Sequence, residues 1–241
     1  MKNKYGISPS TRIERTVFWS VFILMFFAFI WSIVNAIEAP LEYSQGVELI
    51  KNDYILMATE SFGGMFVLLL PTFIEKKWHF DIPSTMHIFV IIFLFAAIIL
   101  GEFRRFHFIV PHFDKMLHIV SGAFLAALSF TIIQVLNDYD IIKMNPMFVA
   151  IFAFCFAMTM GVLWELYEFA WDSTMNLNMM KYMDETGTPY VGLNALNDTM
   201  WDFIIDGIGA FSMSLIGYIS IKHDKMWINN LIIRKAKKEE D

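Results

Sequence analysis

Three short stretches hold side chains able to do chemistry at spacings that put them on common helix faces. In "GVLWELYEFAWD" (161–172), Glu165, Glu168 and Asp172 follow one another at steps of three and four residues. In "NDTMWDFIIDGIGA" (197–210), Asp198, Asp202 and Asp206 recur every four residues, and Gly207 and Gly209 leave room for a close neighbour. In "FDKMLHIVSG" (113–122), Asp114, His118 and Ser121 share a face, with Lys115 and Gly122 beside them. Residues three, four and seven apart stack on one side of a helix, so each stretch reads as a polar stripe.

Each stripe lies at the end of an otherwise apolar run, where ionised groups are costly. An acid near the centre of a membrane helix costs about 2.5–3.5 kcal/mol on insertion scales, and such groups usually mark function. Converging carboxylates repel unless a cation offsets them. Carboxylates with one imidazole suit Mg²⁺, Mn²⁺, Ca²⁺ or Zn²⁺. The expected metal set is Asp114, His118, Glu165, Glu168, Asp172, Asp198, Asp202 and Asp206. Within it His118, Glu165 and Asp206 are the expected acid–base groups, and Glu60 is a further candidate. Arg104, Arg105 and Lys115 are expected to bind substrate phosphate, making a phospholipid or polyprenyl phosphate the natural substrate class. The plainer roles are helix capping for Asp114 and Asp198, a solvated helix end for Asp172, and an ion pair with Glu102 for the arginines.

The elements that must position these groups are membrane helices. The 241 residues are 57% hydrophobic and 17% charged, with 25 Phe and 17 Met, a composition too apolar for a soluble domain. A helix needs about 20 mostly apolar residues to cross a bilayer. Six runs qualify, near 17–37, 55–74, 85–101, 115–136, 146–170 and 200–221. Basic residues concentrate at both termini and at 76–77 and 143, whereas Lys51, Arg104, Arg105, Lys115 and Lys181 fall on the other side. The positive-inside rule then makes both termini cytoplasmic and turns all three stripes outward. The cytoplasmic halves of the stripe-bearing helices hold no acid, so the polar cluster is expected to be one-sided. The seven Trp residues fall near span ends, as in an aromatic belt.

The first run is longer than a signal-peptide core, so "VNA" at 34–36 is expected to be uncut and the helix retained. The expected organisation is a cytoplasmic segment 1–16, one six-helix transmembrane domain 17–221, and a basic tail 222–241. Cys155 stands alone, which rules out an intrachain disulfide and a multi-thiolate metal site. The formal charge of −6 with scattered basic residues gives no nucleic-acid signal. H-E-x-x-H, Walker A and "PSGH" motifs are absent, and "DFIIDG" lacks the D-x-x-D-G-x-x-A-R core of CDP-alcohol phosphotransferases.

The ordered trio "FDKMLHIVSG", "WELYEFAWD" and "NDTMWDFIIDGIGA" resembles the YjdF-like family of bacterial inner-membrane proteins of unknown function. More distantly it resembles the VanZ-like family, associated with glycopeptide resistance, through Asp114, Lys115, His118, Glu165, Asp202, Asp206 and Gly209. "WELYE" stands where that wider group carries Glu-x-x-Gln. The resemblance implies a bacterial cell membrane and a shared polar core.

The expectation is therefore an all-α, six-helix transmembrane bundle with an outward-facing carboxylate–His site. The leading function is a metal-dependent hydrolase or transferase acting on a lipid or cell-envelope phosphate. The alternative is a proton- or cation-coupled transporter or ion-binding protein.

Overall fold

The computed structural model describes residues 11–78, 80–138, 144–184, 186–223 and 234–235. In chain order the elements are α1 (Arg12–Glu38), α2 (Lys51–Trp78), β1 (Phe80–Asp81), α3 (Ser84–Leu94), α4 (Phe106–Ile109), α5 (Phe113–Asp138), α6 (Pro146–Met175), α7 (Leu193–Lys222) and β2 (Arg234–Lys235). A π-helical segment, Phe95–Phe103, continues α3 without a break. Among the described residues six helices are long and apolar enough to cross a membrane. They are α1, α2, α3 with its π-helical continuation, α5, α6 and α7. The fold is all-α; β1 and β2 contribute one two-residue antiparallel pairing.

All six expected spans are present, and five of the helices overrun the apolar stretches at both ends. Hydropathy marks only the part of a helix that lipid selects, whereas capping decides where it stops. α1 opens on a capping box: Thr11 Oγ1 accepts from the Glu14 amide at 3.1 Å, and Glu14 Oε2 accepts from the Thr11 amide at 3.3 Å. α6 starts at Pro146 behind Asn145, whose side chain accepts from the Phe148 amide at 2.8 Å. α7 begins at Leu193, after Gly192 at φ 64° and ψ −132°, a conformation that favours glycine. Asp198 therefore lies in the second turn of α7 and does not cap it, contrary to the capping role considered for it.

The helices pack as two groups. In the first, Val21 and Met25 of α1 meet Met65 and Leu68 of α2, together with Ile91 and Ile98. In the second, Ala126, Phe130 and Ile133 of α5 meet Val149, Ala153 and Ala157 of α6 and Ala210 of α7. Small residues bring α5 and α7 into backbone contact. A Cβ on Gly122 would lie 2.6 Å from the Asp206 carbonyl oxygen, and one on Gly209 would collide with the Ile119 carbonyl. In lipid no hydrophobic force drives helices together, so such close packing carries the association. Phe89 of α3 stacks on Phe124 of α5 at 4.3 Å, tying the groups together. Large apolar side chains such as Phe27, Phe66, Leu163 and Phe211 lie exposed on the outside.

The start of α5, the end of α6 and the start of α7 share one end of the bundle, as the stripes require. The opposite end carries acids too, on helices outside the three stripes. Because α2 runs on to Trp78, Glu75 belongs to a membrane-length helix. His87 Nδ1 lies 2.8 Å from Glu14 Oε1 and its Nε2 3.6 Å from Glu75 Oε1, so α1, α2 and α3 meet around one imidazole. Most of the 222–241 tail, Trp227 and the first ten residues of the N-terminal segment lie outside the described residues.

Candidate functional site

Lys115 is the hub of the site. Its Nζ lies 2.6 Å from Asp198 Oδ1, 2.6 Å from Asp202 Oδ1 and 3.1 Å from Asp114 Oδ2. One turn deeper on α5, His118 faces a carboxylate from each ring nitrogen. Nε2 is 3.5 Å from Asp202 Oδ1, and Nδ1 is 3.3 Å from Asp206 Oδ1. A ring so placed donates from both nitrogens only as imidazolium. The stripes of α5 and α7 thus interlock as alternating charges. Their mouth and floor differ: the Asp198 side chain is 24% exposed, whereas that of Asp202 is 3% exposed. Below Asp206 the apolar core around Phe130, Ile133 and Ala153 closes the group.

α6 adds two acids. Glu165 is 4% exposed, and the hydroxyl beside it is that of Thr199 on α7. The carboxyl lies in the field of Asp202, His118 and Asp198. One turn before Glu165, Gly161 makes room for Asp206, because a Cβ there would sit 2.5 Å from Asp206 Oδ2. Glu168 lies one turn towards the mouth and interacts with Glu165, Lys181, Asp114 and Asp202.

The loop after α6 covers this end. Asp172 is buried, and its two oxygens accept from the amides of Met179 (2.9 Å) and Met180 (3.0 Å). Leu177 and Met179 bury themselves against Leu56 of α2. Thus anchored, Lys181 turns inward with φ at 50°, its Nζ 3.9 Å from Glu102 Oε1. Burial opposes its charge, but Glu102, Asp114, Glu60 and Glu168 around it more than compensate and hold its pKa above the ordinary lysine value. His107 completes the layer, with Nε2 3.5 Å from Glu102 Oε1 and Nδ1 3.6 Å from Asp114 Oδ1. Burial and the Lys181 charge keep its pKa below the ordinary histidine value despite those carboxylates.

A family model of predicted membrane proteins, DUF2238, matches residues 17–223. The chain belongs to that family. The match runs from the first turns of α1 to His223, which caps α7, so it takes in every helix of the site. An uncharacterized protein of Thermotoga maritima is 27% identical over 159 residues, covering 64% of this chain and 75% of that protein. No solved structure matches.

In this DUF2238 member the expected residues fall into three sets. Asp114, Lys115, His118, Asp198, Asp202 and Asp206 form one network, with Glu165 and Glu168 against it. Among the described residues, Asp114, His118 and Asp202 each offer a ligand atom within 4.8 Å of the others. Asp172 stands apart: it is neither solvated nor gathered with these donors, because it holds the loop. Arg104 is exposed, and Arg105 lies over the Phe108 ring at 5.0 Å. The Glu102 considered as their ion-pair partner faces His107 and Lys181 instead. Lys181, Glu102 and His107 are site residues that sequence reasoning missed. They lie in connections or in the π-helical segment, where no regular spacing marks a shared face.

Proposed function

We propose that this membrane protein is a metal-dependent hydrolase or transferase acting at one face of the membrane on a phosphate-bearing lipid or cell-envelope substrate. The observation that carries the reading is the convergence of Asp114, His118 and Asp202 ligand atoms within 4.8 Å, reaching from the start of α5 to the buried Asp202 of α7. An imidazole with two carboxylates fits a divalent ion such as Mg²⁺, Mn²⁺, Ca²⁺ or Zn²⁺, which supplies Lewis acidity to a phosphoryl group when bound. Glu165 and Asp206 are the neighbouring groups for proton transfer. Arg104, exposed at the same end, and Arg105 are the cations proposed to take the phosphate. We assign the protein to the bacterial inner membrane with cytoplasmic termini, the site facing outward, on the distribution of basic residues and the YjdF-like and VanZ-like resemblance.

A second reading, a proton- or cation-coupled transporter or ion-binding protein, is favoured by two features. Lys115 already takes up oxygens of Asp114 and Asp202. Acids and bases also follow one another from Glu102 through His107, Asp114, Lys115, Asp202 and His118 to Asp206. Beyond Asp206 the described part of α7 buries hydroxyls such as Ser214 but carries no further acid, which weighs against a proton relay across the membrane.

Elemental analysis of the purified protein separates the two. The enzyme reading expects about one divalent ion per chain, lost in His118→Ala and Asp202→Asn variants that remain folded. Background metal in the wild type after incubation with each ion would sink it in favour of the second reading.

A further inference from the structure

The end of the bundle opposite the α5–α6–α7 site is tied by one imidazole held between two acids. His87, in the first turn of α3, directs Nδ1 to Glu14 Oε1 of α1 at 2.8 Å and Nε2 towards Glu75 Oε1 of α2 at 3.6 Å. The three side chains are largely buried, at 12%, 8% and 14% exposed. Both carboxylates are also fixed by backbone. Glu14 Oε2 accepts from the Thr11 amide in the capping box, and the same Glu75 oxygen that faces His87 accepts from the Ile82 amide at 3.2 Å.

A neutral imidazole has a single N–H, and the short contact to Glu14 claims it. Nε2 then turns a lone pair on Glu75 Oε1, which the Ile82 amide keeps in place. That face is repulsive when bare and becomes a hydrogen bond when a proton lies in it, whether the ring or the carboxyl carries it. At 3.6 Å the pair stands just beyond hydrogen-bond length, so a small movement closes it. Asp81 of β1 acts on both His87 and Glu75, and exposed Lys76 acts on Glu75. β2 pairs with β1 in a register that sets Arg234 opposite Asp81. Three carboxylates thus bear on one imidazole, and a proton taken up there relieves their mutual repulsion.

We infer that Glu14, His87 and Glu75 form a proton-dependent clasp: these ends of α1, α2 and α3 are drawn together while one proton is shared between His87 and Glu75, and α2 parts from the other two when it leaves. Acid closes the clasp and alkali opens it. With the termini assigned to the cytoplasm, it answers to cytoplasmic acidity. It stands on contacts of the first helix group alone and holds whatever the α5–α6–α7 site binds.

The test uses the full chain in nanodiscs, with Cys155→Ser to remove the native thiol and spin labels on Ile13→Cys and Lys77→Cys. Both labelled positions are exposed, one on α1 and one on α2. Pulsed electron resonance reads their separation from about pH 5 to about pH 9, where imidazole and buried carboxyls titrate. The longer distance should gain on the shorter by up to about tenfold per pH unit, the limit for a single proton. The His87 ring nitrogen signals, identified by their absence in His87→Lys, should move in NMR over the same range. His87→Lys puts an ammonium with three donors between the acids and should stay at the short distance throughout. A wild-type distance that ignores pH overturns the inference. So does a folded His87→Lys protein that still follows pH or stays open. If that variant does not fold, His87→Gln identifies the ring signals instead, and signals that stay constant while the wild-type distance changes overturn it.

Discussion

Gly161 on α6 and Asp206 on α7 are matched so closely that a single methyl group at position 161 would lie 2.5 Å from Asp206 Oδ2. The glycine is needed here for space, since it sits in regular helix. Asp206 in turn faces His118 Nδ1 at 3.3 Å. Gly161→Ala should push the carboxylate off the imidazole and cost about 1–3 kcal/mol, as overpacking does. Gly207→Ala is the control, because its Cβ would meet only Met158 Sδ at 3.7 Å. Unfolding in detergent and the His118 ring signals by NMR should change in the first variant and not in the second.

Lys115 makes opposite predictions for stability and for metal. Lys115→Met strands Asp114, Asp198 and Asp202 without their shared cation. Breaking a buried pair from one side costs about 3–5 kcal/mol, and the partly open mouth puts this case at the lower end. Asp202→Asn added to Lys115→Met should recover part of the loss. The same Lys115→Met change removes the competitor for the oxygens of Asp114 and Asp202, so divalent-ion affinity should rise in isothermal titration. A variant both less stable and no better at binding metal would argue against the ligand triad.

The parts of this arrangement that could be read from the chain are those with helical repeat on an apolar background. Asp198, Asp202 and Asp206 are legible because nothing in a lipid-facing helix accounts for acids every fourth residue. Asp114 and His118 follow from the same logic. The span that opens at Ser84 hides Glu102, because its last part is π-helical and wider than the 3.6-residue repeat used to assign faces. Lys181 is hidden differently: only the folded loop, fixed by Asp172 and turned at φ 50°, brings it over the acids. The Glu14–His87–Glu75 contact joins three helices, so it depends on packing that no local spacing encodes.

Tyr43 ties the loop before α2 to the covering loop, and it gives the pH dependence a definite sign. Its hydroxyl donates to Asp53 at 2.9 Å, and its ring packs where a Cβ on Gly187 would sit, 2.8 Å from Cδ2. Burial, then the charge and hydrogen bond of Asp53, raise the Tyr43 pKa above the ordinary tyrosine value. A pKa raised by folding means that the unfolded chain releases the proton first. The contribution is therefore complete below the unfolded value of about 10 and is lost as pH climbs through the folded one. Stability of the wild type should fall more steeply above pH 10 than that of Tyr43→Phe. At neutral pH the variant should be weaker by about 1.5–3 kcal/mol, the range for a hydrogen bond to a charged group. Ultraviolet titration should show one late-ionising tyrosine that disappears in the variant. Parallel alkaline melting curves for the two proteins would refute the assignment.

Asp172 is predicted to act through Lys181. Its oxygens hold the Met179 and Met180 amides, and those residues begin the stretch that delivers the lysine to Glu102. Asp172→Asn keeps one acceptor but turns an NH₂ group towards the second amide, which leaves that amide unpaired at a cost of about 1–3 kcal/mol. The loss should be local, since Asp172 lies at the end of α6 and outside the packed cores of both helix groups. Trypsin should then cleave after Lys181 at least tenfold faster, and the Met179 and Met180 amides should lose hydrogen-exchange protection while α5 and α7 keep theirs. The global melting temperature should move little by comparison. If the loop stays protected in Asp172→Asn, its anchor is the Leu177–Met179–Leu56 contact. Leu56→Ala should then release Lys181 where the carboxylate change does not.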